Sequence, residues 1–151
     1  MYYLVIILFI LVVLFFSRKK REIITGPFMI KESELIKNNE RGLFASRDYK
    51  EGDLIENCPT LMVSIDDINY PNKINDYVFE SNVDDHVLIP FGYCGLINHS
   101  DSMQNCSWVI SSDNSTIRMY AVKDIKYGEE LYTNYGNEYW NDRDSIHLVN
   151  F

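Results

Sequence analysis

Four short segments of this sequence concentrate side chains able to do chemistry. Leu96-Ile97-Asn98-His99-Ser100, followed by Asn105, sets a carboxamide beside an imidazole in one short turn, with Gly92 and Gly95 just before it. Together they offer hydrogen-bond donors and acceptors at close quarters. Leu131-Tyr132-Thr133-Asn134-Tyr135-Gly136, then Tyr139-Trp140, is dense in aromatic rings. Such rings close a core, or they wall a cavity for a flat or cationic ligand, because aromatic faces attract cations. Arg41-Gly42-Leu43-Phe44-Ala45 puts a glycine at the opening of an apolar run, where backbone is able to approach a ligand closely. Between Ala121 and Leu131, Asp124 and Gly128 sit at turn positions. Singly, each segment also reads as plain structure: a turn before a strand, a satisfied Asn-His-Ser turn, a connection, a packed chain end.

The elements that must position these residues are short. Apolar runs at 43–45, 54–55, 61–65, 87–90, 107–110, 117–122 and 130–133 have strand length and β-branched or aromatic content. Phe28-Met29-Ile30 reads as an edge strand, Lys37-Asn38-Asn39-Glu40 as a polar turn, and Ser111 to Ser115 as a hairpin loop. Residues 74–81 allow a helical turn or two. The expectation is a mostly β domain of many short strands.

The N-terminus is different in kind. Residues 2–16 are apolar and uncharged, and the basic run Arg18-Lys19-Lys20-Arg21 follows. As a helix, 1–17 would cover about 25 Å, at the short end for a hydrocarbon core of about 30 Å. Charges after the apolar run, not before it, argue against a secretory signal. They predict a single-pass membrane anchor over 1–21 with the folded domain on the cytosolic side. An entry segment at 22–40, a domain at 41–140 and a short tail at 141–151 complete the organisation. The 151 residues carry 14 basic and 22 acidic side chains, a net of −8. Without the basic flank the remainder holds 10 basic against 22 acidic, a net of −12. Such a domain is a poor direct binder of nucleic acid and attracts basic partners. Cys58, Cys94 and Cys106 lack the short spacing of a zinc site, and in a cytosolic domain they read as free thiols.

Taken in order, the segments resemble the SET-domain lysine methyltransferases from about residue 42 to 140. The likeness is carried by Arg41 to Ala45, Gly52, Glu56 with Pro59, Asn98-His99-Ser100 with Asn105, Asp124-Ile125 with Gly128-Glu129-Glu130-Leu131, and Tyr135-Gly136. Asp76-Tyr77-Val78-Phe79 and the Tyr-Gly…Tyr-Trp ending resemble the compact viral SET enzymes most closely. Departures are also present. Glu40 stands where the family usually has glycine, Gly95 where many larger relatives have arginine, and no cysteine-rich segment flanks the domain.

The resemblance implies a β-clip fold with a knot-like C-terminal segment that brings Asn98 and Tyr135 together. It implies S-adenosylmethionine as cofactor, held by Arg41, Gly42, Leu43, Phe44, Asn98, His99, Tyr135 and Trp140, with adenine near His99 and Trp140. It implies a lysine channel lined by Tyr77, Tyr135 and Tyr132, with Tyr135 as the main catalytic residue and no metal required. A basic protein or histone tail is the implied substrate, and a homodimer the implied assembly. An inactive SET-fold binding module held at a membrane is the alternative reading.

Overall fold

A computed structural model describes residues 23–36, 40–68, 73–137, 139 and 140. The expected anchor over 1–21, the polar turn's residues 37–39 and the tail after 140 lie outside the described residues. Among those described, no helix is long and apolar enough to cross a membrane.

The described residues form ten strands in three sheets. Strands β1 (Ile23–Thr25), β2 (Phe28–Glu32) and β3 (Arg41–Ala45) make an antiparallel meander in that order. Gly26, at φ 64°, takes the tight turn between the first two. Phe28-Met29-Ile30 therefore lies in the middle strand of its sheet, not at an edge, because residues 23–25 supply an outer partner.

The second sheet has the order β5-β6-β4-β9-β8. It comprises β4 (Leu54–Ser64), β5 (Phe79–Glu80), β6 (His86–Pro90), β8 (Cys106–Ile110) and β9 (Thr116–Ala121). The apolar runs at 54–55 and 61–65 belong to the single strand β4. Its first half pairs with β9 up to Pro59, and its second half pairs with β6 from Thr60 onward. Pro59 has no N–H to donate, and it falls where one ladder gives way to the other. The β8–β9 hairpin turns where the sequence predicts. There Asp113 accepts from the hydroxyls of Ser111 and Ser115, both at 2.7 Å. Those bonds hold the Asp113 carboxyl down at about 2.

The Asp124–Gly128 connection is structural, as its sequence suggests: Tyr49 and Ile125 exchange backbone bonds of 2.8 and 2.9 Å. Leu43, Ile117, Met119, Ile125 and Leu131 are fully buried and join the sheets in one core. The thiol expectation needs correction. Cys58 and Cys94 form a disulfide with Cα atoms 6.6 Å apart. The bond joins residues 36 apart in sequence, Cys58 on β4 and Cys94 at the start of the 3₁₀ turn Cys94–Leu96. Cys106 is a free, buried thiol, pushed up to about 12 by burial.

Candidate active site

The third sheet builds the site. Strands β7 (Asn98–His99) and β10 (Tyr132–Thr133) pair in parallel, Asn98 opposite Tyr132 and His99 opposite Thr133. The other edge of the late segment is also held. Asn105 N–H donates to Tyr132 O at 3.0 Å, and the Asn105 side chain exchanges bonds with Tyr132 N–H and Glu130 O at 2.9 and 2.8 Å. Residues 130–133 thus run between the two arms of the 98–106 loop. Asn105 is buried, and its carboxamide stands in for a length of strand backbone. A chain held on both edges cannot shift register without breaking both sets of bonds, so the residues just past Thr133 are placed firmly.

Glu130 is the hub of this arrangement. Its side chain is buried and accepts four hydrogen bonds. Ser33 Oγ and Asn98 Nδ2 donate to Oε1 at 2.8 and 3.0 Å, and Glu34 N–H and Tyr132 Oη donate to Oε2 at 2.7 and 2.6 Å. Gly42 is explained here. A Cβ at that position would collide with Oε1 and Cδ of Glu130. The close approach its glycine permits is to this carboxylate. Asn98 donates its second N–H to Arg41 O at 3.0 Å. With both N–H groups so used, the carboxamide oxygen is the atom left to meet a ligand. Asn98, Arg41 and Gly42 are thereby brought together. Leu43 and Phe44 are not: their side chains are buried in the core, and they offer a ligand only backbone.

Tyr135 comes just after β10 and is half-buried. Its hydroxyl donates to Ile97 O at 2.6 Å, and its N–H donates to His99 Nδ1 at 3.2 Å. The β7–β10 pairing and these two bonds thus bring Tyr135 beside the Ile97–His99 stretch despite their separation in sequence. Around them is an aromatic cluster. His99 lies 5.3 Å from Tyr135 and 4.9 Å from Trp140, and Tyr139 lies 4.6 Å from Tyr135, between ring centroids. His99 and Trp140, the two rings expected beside the adenine, are in contact with each other.

A cleft of about 600 Å³ opens beside Tyr135 and Tyr139. Tyr77, Gly95, Ile97 and Tyr135 are among its lining residues. Tyr77 is half exposed. Gly95 is hemmed in by Pro90 and the Tyr77 carbonyl, which a Cβ would meet at 3.2 and 3.4 Å. A side chain there would need Pro90 to give by a few tenths of an ångström. Tyr132 does not reach the cleft. It is buried and its hydroxyl bonds Glu130; burial first, and then that bond, push its pKa well above the usual phenol range. Tyr132 pairs on β7, whereas Tyr135 lies beyond the strand's end, where the chain has turned.

Sequence reasoning does not single out Glu130 and Ser33 for this role. Glu130 opens the run read as a strand at 130–133 and is among the residues that carry the family likeness, but only its burial distinguishes its carboxylate. Ile97, whose carbonyl anchors Tyr135, carries no chemical signal at all.

Likeness to known proteins bears on this geometry. The sequence profile of the SET domain matches residues 40–136. A Schizosaccharomyces pombe histone-lysine N-methyltransferase specific for H3 lysine-37 is 28% identical over 121 residues, covering 78% of this chain and 79% of that protein. A candidate histone methyltransferase of Plasmodium falciparum superposes with a TM-score of 0.60 at 28% identity, over 78% of this chain and 99% of that one. The Polycomb repressive complex 2 of Chaetomium thermophilum bound to S-adenosylmethionine contains a chain that superposes with a TM-score of 0.59 at 25% identity. That match covers 77% of this chain and 16% of the other.

Proposed function

Because this chain belongs to the SET-domain family, and is a protein-lysine N-methyltransferase that uses S-adenosylmethionine, we propose that it methylates a lysine in a basic, histone-like tail. Tyr135 is the catalytic residue, and Asn98, His99 and Trp140 are the cofactor contacts. One observation carries the assignment of roles: the Tyr135 hydroxyl donates its proton to Ile97 O while Asn98, the next residue along on β7, presents a carboxamide oxygen.

The donor set fits the cofactor. A carboxamide oxygen suits an ammonium, and the rings of His99 and Trp140 suit a flat base. S-adenosylmethionine supplies, when bound, an electrophilic methyl on a positive sulfur. The protein's own part is positional. Because the Tyr135 proton is held by Ile97 O, its oxygen lone pairs accept from the incoming amine and fix the amine's direction. Alignment of that kind contributes about 7–11 kcal/mol when geometry is right. The amine must also be neutral, although free lysine titrates at about 10.4. Entry into a partly dry, aromatic-walled cleft beside a positive group lowers that value through desolvation and like charge.

The cofactor assignment is tested by calorimetry. Asn98→Ala should weaken S-adenosylmethionine binding by about tenfold, the effect of one charge-assisted hydrogen bond. Unchanged affinity would remove Asn98 from the site.

We also propose that residues 1–21 anchor the chain in a membrane with the domain facing the cytosol. The uncharged run before Arg18-Lys19-Lys20-Arg21 supports it. Disulfides persist chiefly in oxidising compartments, so the Cys58–Cys94 pair weighs the other way. Protease added to sealed, cytosol-side-out vesicles should digest the domain, and its resistance would reverse the orientation.

A further inference from the structure

The cleft extends beyond Tyr77 and Tyr135. Its lining also includes Phe79 from β5 and Trp108 from β8, the two opposite edge strands of the five-stranded sheet. The sheet curls enough to bring these rings to 5.4 Å at an interplanar angle of 85°. Both are half-buried, and together they form a right-angled aromatic corner, with Val87 beside it. Among the described residues the lining includes Asp76 and Glu80 and no lysine, arginine or histidine. The surrounding stretch 65–87 carries Asp66, Asp67, Asp76, Glu80, Asp84 and Asp85 against the single cation Lys73. An aromatic corner in a field of that sign is suited to a cation rather than to an aliphatic or acidic side chain.

We propose that this end of the cleft is a second cation subsite, which takes the guanidinium of an arginine flanking the target lysine in the same substrate. The inference rests on the lysine-tail reading above. Arginine fits better than lysine because its planar head stacks on an aromatic face, while its methylenes lie along apolar walls such as Val87.

The test is a register scan read by binding. Fluorescent peptides carry one central lysine in a Gly/Ser background, with a single arginine stepped from three residues before it to three after. Affinity for the full chain is measured by anisotropy with S-adenosylhomocysteine present. One register should bind about tenfold more tightly than the arginine-free peptide. Lysine there should recover part of the gain and leucine none. In Trp108→Leu the ratio between those two peptides should fall to within about twofold. Taking the ratio within each variant cancels any loss of folded protein. Equal affinity in all registers, a leucine peptide matching the arginine one, or a full preference surviving in Trp108→Leu would each overturn the subsite. Since no turnover is needed, absence of methyl transfer would count against the proposed function and leave this result standing. Methyl transfer together with a flat scan would sink the subsite alone.

Discussion

Tyr135→Phe should lose about 10²–10³ in turnover, the cost commonly seen when one positioned hydrogen-bonding group is removed from an active site, while the protein stays folded and keeps its cofactor. The substitution deletes one oxygen and leaves the ring against His99 and Tyr139, so packing survives. The bond to Ile97 O disappears, at a cost near 1 kcal/mol in stability. The oxygen that orients the amine goes with it. The loss should fall on kcat more than on KM, because the contact matters most when the amine is aligned for attack. Tyr132→Phe is the contrasting variant. Its hydroxyl serves Glu130 and not the cleft, so it should lower the melting temperature and leave kcat within a few fold. Single-turnover methylation beside thermal melting separates the two. A Tyr135→Phe enzyme at full speed would move the catalytic assignment to Tyr77.

Glu130→Ala should cost about 3–5 kcal/mol, a large share of the 5–15 kcal/mol that holds a domain of this size. Four donors converge on this carboxylate: Ser33 and Glu34, and Asn98, from two distant parts of the chain, and Tyr132 from close by. Removing the acceptor takes this partner from two buried hydroxyls, a carboxamide N–H and a backbone N–H, and each buried donor left unmet costs about 1–3 kcal/mol. Glu130→Gln keeps the shape but turns a donor toward donors, and should cost at least about 2 kcal/mol. Asn98 would lose one of its two anchors, so cofactor affinity should fall in whatever protein remains folded. Glu129→Gln is the control. That side chain is exposed and, among the described residues, accepts from Lys126 N–H, and its loss should stay within about 1 kcal/mol. Chemical denaturation with cofactor titration on the same samples checks both halves. A Glu130→Ala protein as stable as the Glu129→Gln one would show that the hub is not structural.

Local pattern makes most strands legible. The runs at 87–90, 107–110 and 117–122 and the hairpin loop between the last two fall close to where their composition puts them. Strand β4 reads as two pieces in the sequence because Pro59 normally interrupts a ladder, and only the change of partner at that residue makes it tolerable. Long-range pairing is what pattern cannot supply. Cys58 and Cys94, Ser33 and Glu130, and Ile97 and Tyr135 meet through topology, and no spacing rule joins them. The meeting of Asn98 with Tyr135 is expected from family likeness, and the β7–β10 pairing is its physical cause. Family likeness puts both Tyr132 and Tyr135 on the channel, with Tyr135 as the main catalytic residue. They diverge because the first is inside the paired strand and the second lies past its end.

The most direct measurement is methyl transfer itself. The full chain is incubated with S-adenosylmethionine labelled in its methyl group and with core histones, and the labelled product is hydrolysed to amino acids. The expected result is label recovered as N-methylated lysine with wild-type protein, and at most about one part in a hundred of it with Tyr135→Phe. Label recovered on another amino acid, or equal label with the two proteins, would contradict the assignment of lysine methylation to this site.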